Sequence, residues 1–550
     1  MSRLLFYLYA GVITLMPALL LIPVLGSQSV FSLLAGDAYL YLGIAQNSSL
    51  AMFSFDGEAA TNGFHPLWQV MVWVLAQITG DPVLLMNLTA WLAVALTLAG
   101  VLMIGTAIGR ATGSWLLAGL VTPGVYFLVV GQGLGNLAVW DFFSGMEAGL
   151  SLAITGILSL QIVSARHERA TARHWLSMGV VLGLLVLARL DEVFVVLAIA
   201  LTWTLWHPRR FFSRVPSAIL LVLPSVAFLC LYWAYNWATI GLLMPISGAA
   251  KGEGALIGNG WITLATFFGP LLDLRAGLTD YTAAHDVVRG AGFRVAELIF
   301  PALFAATFIL LIHGRFRDEN WAPLVAGMSG AILLKAAYGF IAVNYWDQAP
   351  WYYAFAIGTL SLTAALLLSP VLTNLRRVAP SAVPWLALII GLVGCLQASQ
   401  AYLANASGRY SAPRAMFWED RGKVDAALAE ARPEAKLVEF GDGMLNFALD
   451  LPVRHGFVFA GDIGSLEALR RRSLLRASHE DGYTMLSSYE YLNWPGASLD
   501  KSSDDIRAFL LGSTLDDRVK AELNEFEFEM VYIYEPLSIP FIAFHPLPAT

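Results

Sequence analysis

Residues 31–69 hold the first groups in this sequence whose types and spacing could do chemistry. Asp37 stands among Gly36, Tyr39 and Tyr41 at the mouth of an apolar N-terminal run. A carboxylate beside a membrane helix is costly unless it faces water or a partner, so it marks a site by default. Downstream, Asn62-Gly63-Phe64-His65-Pro66 joins a turn signal, an imidazole and a helix-start proline. Further polar clusters are Ser144-Gly145-Met146-Glu147, Arg189-Leu190-Asp191-Glu192, Pro245 to Lys251, and Asn344-Tyr345-Trp346-Asp347. Lys251 and Lys335 are the only lysines before residue 400. A carboxylate can take a proton and a cation can hold an anion. Plainer roles stand beside these. His65 next to a proline can be structural, Arg189 can pair with Asp191 and Glu192, and Lys251 can be solvated in a loop. Lys335 can snorkel from its apolar run to the surface.

Positioning these groups falls to apolar helices. Of 550 residues, 57% are hydrophobic and 13% charged, and the mean hydropathy is +0.65. Soluble domains carry about 25% charged residues, so most of the chain is expected in lipid. Residues 400–550 differ: they hold 23 of the 40 acids and 15 of the 33 bases, the charge density of a soluble domain. The chain is therefore expected to divide into a membrane domain, 1–399, and a soluble domain, 400–550. Cys230 and Cys395 both sit in apolar runs and suggest neither a disulfide framework nor a metal site.

Spanning helices are predicted near 4–25, 82–108, 115–130, 146–163, 217–237, 295–312, 322–343, 352–372 and 382–399. The first run is long for a secretory signal and is read as a retained helix. Run 175–206 is broken by Arg189-Leu190-Asp191-Glu192, and three charges at the centre of one helix would be expensive. Two short helices meeting at a polar turn fit better. That makes about eleven crossings, with 66–79 too short to span and expected at the interface. Arg3, Arg110, Arg166, Arg169, Arg173, Arg209, Arg210, Arg214, Arg315, Arg317, Arg376 and Arg377 then fall on one face, whereas loop 26–81 has no Lys or Arg. The positive-inside rule places the N-terminus in the cytoplasm and residues 400–550 outside it. Every polar cluster named above then lies on the outer face. Aromatic residues there, among them Tyr39, Trp68, Tyr345 and Trp346, fit an interfacial belt.

In this order the clusters resemble the GT-C superfamily of membrane glycosyltransferases, and within it the bacterial polyprenyl-phosphate-sugar-dependent enzymes of arabinofuranosyl- and mannosyltransferase type. The matching residues are Asp37-Ala38-Tyr39, Thr61-Asn62-Gly63, His65-Pro66-Leu67-Trp68, Gly145-Met146-Glu147, the turn at 189–192 and the Pro-x-Ser-Gly segment before Lys251. The resemblance covers residues 1–400. One departure is Gly36, where the superfamily often has a second acid beside the first. The implied fold is a polytopic all-α membrane domain followed by an extracytoplasmic α/β domain that helps hold the acceptor. Locally, a helical run at 418–431, a strand-like 437–440, the turn Gly441-Asp442-Gly443 and strands near 531–535 and 541–545 agree with a small α/β domain.

The implied reaction moves a sugar from a polyprenyl-phosphate donor to an extracytoplasmic glycan, lipid or protein. A phosphate departs without a general acid, unlike the leaving group in glycoside hydrolysis. The reaction needs a base for the acceptor hydroxyl and cations for the phosphate. Asp37 is assigned as that base, in one displacement that inverts the anomeric carbon, with Glu147 next in line as a second carboxylate. Donor or phosphate contacts are assigned to His65, Arg189, Lys251, Lys335, Asn62 and Tyr39. No cofactor is required; the external carboxylates could collect a divalent cation, but no spacing matches a known metal loop. The expected location is the inner (plasma) membrane, with membrane lipids as neighbours and no nucleic-acid partner. Two rivals are a transporter or lipid flippase, and a noncatalytic assembly subunit. Transporters usually bind at the midplane between repeated halves, whereas here no repeat is visible and the clusters are one-sided.

Overall fold

In this computed structural model the described residues are 1–25, 29–49, 51–122, 142–164, 170–252, 299–312, 319–342, 354–378, 411–441, 443–489, 494–513 and 515–548, with Trp385, Ile389 and Leu492. The expected cluster Asn344 to Asp347, residues 123–130, Asp442 and, apart from Trp385 and Ile389, the predicted helix 382–399 lie outside them.

Two compact units emerge from the contacts. One comprises residues 1–33, 89–231 and 252–408; the other comprises 34–88, 232–251 and 409–550. The C-terminal region therefore shares its unit with two earlier segments, one of which carries Asp37. The sequence suggested a single cut at 399/400, because charge density reports solvation and not which segments fold together.

The first unit is helical. Pro82–Thr112, Pro208–Ile240 and Ala354–Val371 are long and apolar enough to cross a membrane, by length and composition. Run 175–206 is broken where its charges lie, into helix Ala172–Ala188, a 3-10 turn Leu190–Glu192 and helix Val193–Leu205. Helices close on one another where a glycine removes the side chain, as lipid-embedded helices commonly do. Gly327, in helix Ala322–Ala342, is the case that matters for the charged residues. A Cβ there would come within 2.6 Å of Ile199 Cα and 2.5 Å of the Thr202 hydroxyl. This brings helix Ala322–Ala342 flush against helix Val193–Leu205. Eight residues on is Lys335, about 12 Å along the axis at 1.5 Å per residue, and Glu192 lies about 10 Å back from Ile199. Antiparallel packing thus delivers the lysine to the polar turn.

The second unit centres on a five-stranded sheet of order β2-β1-β3-β5-β4. Its strands are β1 Lys436–Glu439, β2 Val453–His455, β3 Tyr483–Ser487, β4 Phe526–Tyr534 and β5 Ile539–Pro546. β1 runs parallel to β2 and β3, while β5 is antiparallel to both β3 and β4. Val438, Leu486, Ile542, Phe528 and Phe544 build the core with Leu466, Leu475, Ile506 and Leu510 from the helices. The predicted strands correspond to β1, β4 and β5; β2 and β3 were not anticipated. At three residues, β2 is too short to show an alternating pattern.

Candidate functional site

Asp37 is the N-cap residue of helix Ala38–Gln46. It is half-buried, while Ala38, Tyr39, Tyr41 and Leu42 behind it are buried. That helix lies against helix Pro66–Ile78, whose start is fixed by Pro66 and whose N-cap is His65. The buried Gln69 amide donates to the Tyr41 carbonyl at 3.1 Å, locking the two helices together. The second helix is 13 residues long, about 20 Å and too short to cross a bilayer.

Asn62 is fully buried, and its amide is committed at both ends. Its nitrogen donates to the Met244 carbonyl at 3.2 Å, and its oxygen accepts from the Ile246 amide at 2.9 Å. It therefore ties the His65 loop to the start of helix Ile246–Gly252, which carries Lys251. Unsatisfied buried amides are costly, so this is a structural clasp more than a ligand contact. Sequence reading grouped Asn62 with the donor contacts; the clasp, across 184 residues, left no local signal.

The C-terminal region reaches this helix pair directly. Glu439, buried at the end of β1, accepts the amides of Leu445 and Asn446 at 3.1 Å each and so caps helix Met444–Ala448. Asn446 donates to the Phe55 carbonyl at 2.9 Å, and the Phe447 ring lies 5.7 Å from that of Tyr39. Arg414, from helix Ser411–Ala431, is 1% exposed. It donates to the Leu34 carbonyl at 2.8 Å and sits 5.3 Å over the Tyr39 ring. Tyr39 is thus a packed core ring. Sequence reading missed Arg414, because an arginine in a charge-rich helix looks like any solvated one.

The remaining charged candidates form a network within the other unit. Arg189, also 1% exposed, pairs with Glu147 and, at 3.2 Å, with Asp191. Lys335 pairs with Asp191 at 3.0 Å and Glu192 at 2.9 Å. Glu147 and Glu192 are fully buried, whereas the Asp191 side chain is 25% exposed. Among the described residues, three carboxylates face two cations. Each cation is shared by two carboxylates, as charges in an apolar surround require. Lys335 does not snorkel; it closes the turn at 190–192. Of the expected ion pairs, Arg189 with Asp191 is present. Glu147 and Lys335 as further partners were not foreseen.

An open cleft of about 730 Å³ lies on the C-terminal region, lined by residues including Asp420, Lys423, Leu499, Asp500, Tyr532 and Glu535. Its Asp420 is already engaged, accepting from Tyr534 at 3.0 Å and pairing with Lys423 at 2.5 Å.

No protein-family model matches this sequence, and no curated protein matches it. Its fold does resemble solved structures. The crystal structure of the Archaeoglobus fulgidus oligosaccharyltransferase in complex with zinc and sulfate has a TM-score of 0.51 at 13% identity, covering 98% of this chain and 72% of that one. The oligosaccharyltransferase AglB from the same archaeon, with an inhibitory peptide and a dolichol-phosphate, also gives 0.51, at 12% identity over 100% and 74%. ArnT from Cupriavidus metallidurans bound to undecaprenyl phosphate gives 0.49 at 15% identity over 98% and 97%. The fold is therefore similar to that of these oligosaccharyltransferase structures, and it has the expected make-up, a helical apolar body with a C-terminal α/β region.

Proposed function

We propose that this chain is an integral membrane glycosyltransferase that moves a sugar from a polyprenyl-phosphate donor to an extracytoplasmic glycan, lipid or protein. Asp37 is the general base. The observation that carries the reading is the construction around this carboxylate. It heads a short helix whose other faces are buried against helix Pro66–Ile78 and the Met444–Ala448 segment. Holding the backbone behind one half-buried carboxylate with two packed segments is what a positioned base needs. The dolichol-phosphate in the related archaeal fold supports an isoprenoid phosphate as the donor.

Because phosphate leaves without a general acid, one carboxylate is enough for the acceptor proton, and the displacement inverts the anomeric carbon. Lys251 and His65 are the groups we assign to the departing phosphate: Asn62 joins their two segments within the unit that holds Asp37. Arg189, Lys335 and Glu147 take a bracing role in this reading. Each of the three is already engaged in an ion pair of that network.

Purified Asp37→Asn is expected to fold and to lose transfer from a polyprenyl-phosphate sugar by about a hundredfold or more. Turnover equal to the parent enzyme would remove Asp37 from the mechanism.

A further inference from the structure

We infer that Arg414 is a positioning residue for Asp37, so that the C-terminal region completes the site. The inference rests on the reading of Asp37 as the base. The guanidinium bonds the Leu34 carbonyl and covers the Tyr39 ring, two contacts that bracket Asp37 within six residues of chain. Independently, Gly443 at φ +90° lies against the same helix. A Cβ there would meet Leu40 N at 3.0 Å, Tyr39 C at 3.2 Å and the Leu40 side chain at 2.8 Å. The helix behind Gly443 is held by Glu439 and by the bond from Asn446 to Phe55. The chain on either side of Asp37 is thus held by a buried planar cation, and the first turn of its helix by a close-packed glycine with positive φ. Arg414 is 380 positions from Leu34 in the chain, and Gly443 is about 400 from Tyr39 and Leu40. An arginine suits the first role because its fork can bond a carbonyl while its plane stacks on an aromatic ring, which a lysine cannot do together.

The test uses the full-length protein in detergent and compares Arg414→Gln, Arg414→Lys and Gly443→Ala with the parent. Amide hydrogen exchange and steady-state transfer from a polyprenyl-phosphate sugar are both measured. Arg414→Gln is expected to speed exchange in residues 38–46 while strands 526–534 and 539–546 keep their protection. It should lower kcat by about ten- to a hundredfold with donor KM within about twofold, because a small misplacement of a reacting group is costly. Arg414→Lys should fall between, and Gly443→Ala should reproduce the pattern through its own contact with Tyr39 and Leu40. Unchanged exchange in 38–46 would overturn the proposal. So would a kcat within about twofold of the parent, or exchange that rises equally in the strands, which reports general loosening. Should Asp37→Asn retain turnover, the base assignment fails, and the exchange data alone decide whether the clamp exists.

Discussion

Arg189 and Lys335 show how a charge is kept among apolar helices. Each is held by two carboxylates, and the arrangement leaves Glu192 fully buried against the lysine. Removing one partner of a buried pair strands the other, which typically costs about 3–5 kcal/mol. Lys335→Met is therefore expected to destabilise the helical unit by about 3 kcal/mol or more, read as a lower unfolding temperature in detergent. Adding Glu192→Gln to that variant should recover part of the loss. An unfolding temperature equal to that of the parent would mean that the lysine is solvated. The sequence exposed these charges as anomalies at 189–192 and 335 and offered the Arg189–Asp191 pair, but it could not add Glu147 and Lys335, which lie on separate segments.

At the level of elements, short helices in this protein depend on carboxylates reaching in from elsewhere. Glu439 caps Met444–Ala448, and Glu522 accepts the amides of Leu474, Leu475 and Arg476 at the start of helix Leu474–Glu480. Burial pushes the Glu522 carboxyl up to about 7, against the pull of those amides. With the folded value above the unfolded one, the protonated form is favoured by folding. Its contribution is complete below about pH 4.5 and is lost as pH rises through about 7, an effect of roughly 3 kcal/mol. Chemical unfolding of the C-terminal sheet is thus expected to grow easier from pH 4.5 to 7, and Glu522→Gln should flatten the trend. A wild-type curve already flat over that window would contradict it. Of these elements, the broken run at 175–206 and the strands β4 and β5 were legible, because charge interruption and alternating apolar residues are local signals. The caps were not legible, since each joins residues in different elements.

For the whole molecule, the consequential fact is that residues 34–88 fold with the C-terminal region. Tyr483 donates to Asp56 at 3.1 Å, Lys436 pairs with Glu58, and Asn446 holds the Phe55 carbonyl. A chain truncated before residue 409 loses all three ties. It is expected to be inactive in sugar transfer, and its 48–64 segment should be cleaved faster by protease than in the full-length protein. Retained transfer in the truncated chain would show that the C-terminal region is an accessory. This is also the scale at which the assembly-subunit rival differs: a chain that only presents residues 400–550 has no need to tie them to Asp37.

By itself the sequence determined the membrane class, the polar breaks, the mixed α/β character of the C-terminal region and the order of motifs that resembles GT-C enzymes. Those properties are carried by composition and by periodicities of two and 3.6 residues, which are complete within a short window. Only the tertiary structure decided that Asn62 is a clasp, that Lys335 serves carboxylates and Arg189 also meets Glu147, and that Arg414 joins the Leu34 carbonyl and the Tyr39 ring. Hydrogen bonds and ion pairs act over about 3–4 Å in space, and packing alone brings residues 34 and 414 within that reach.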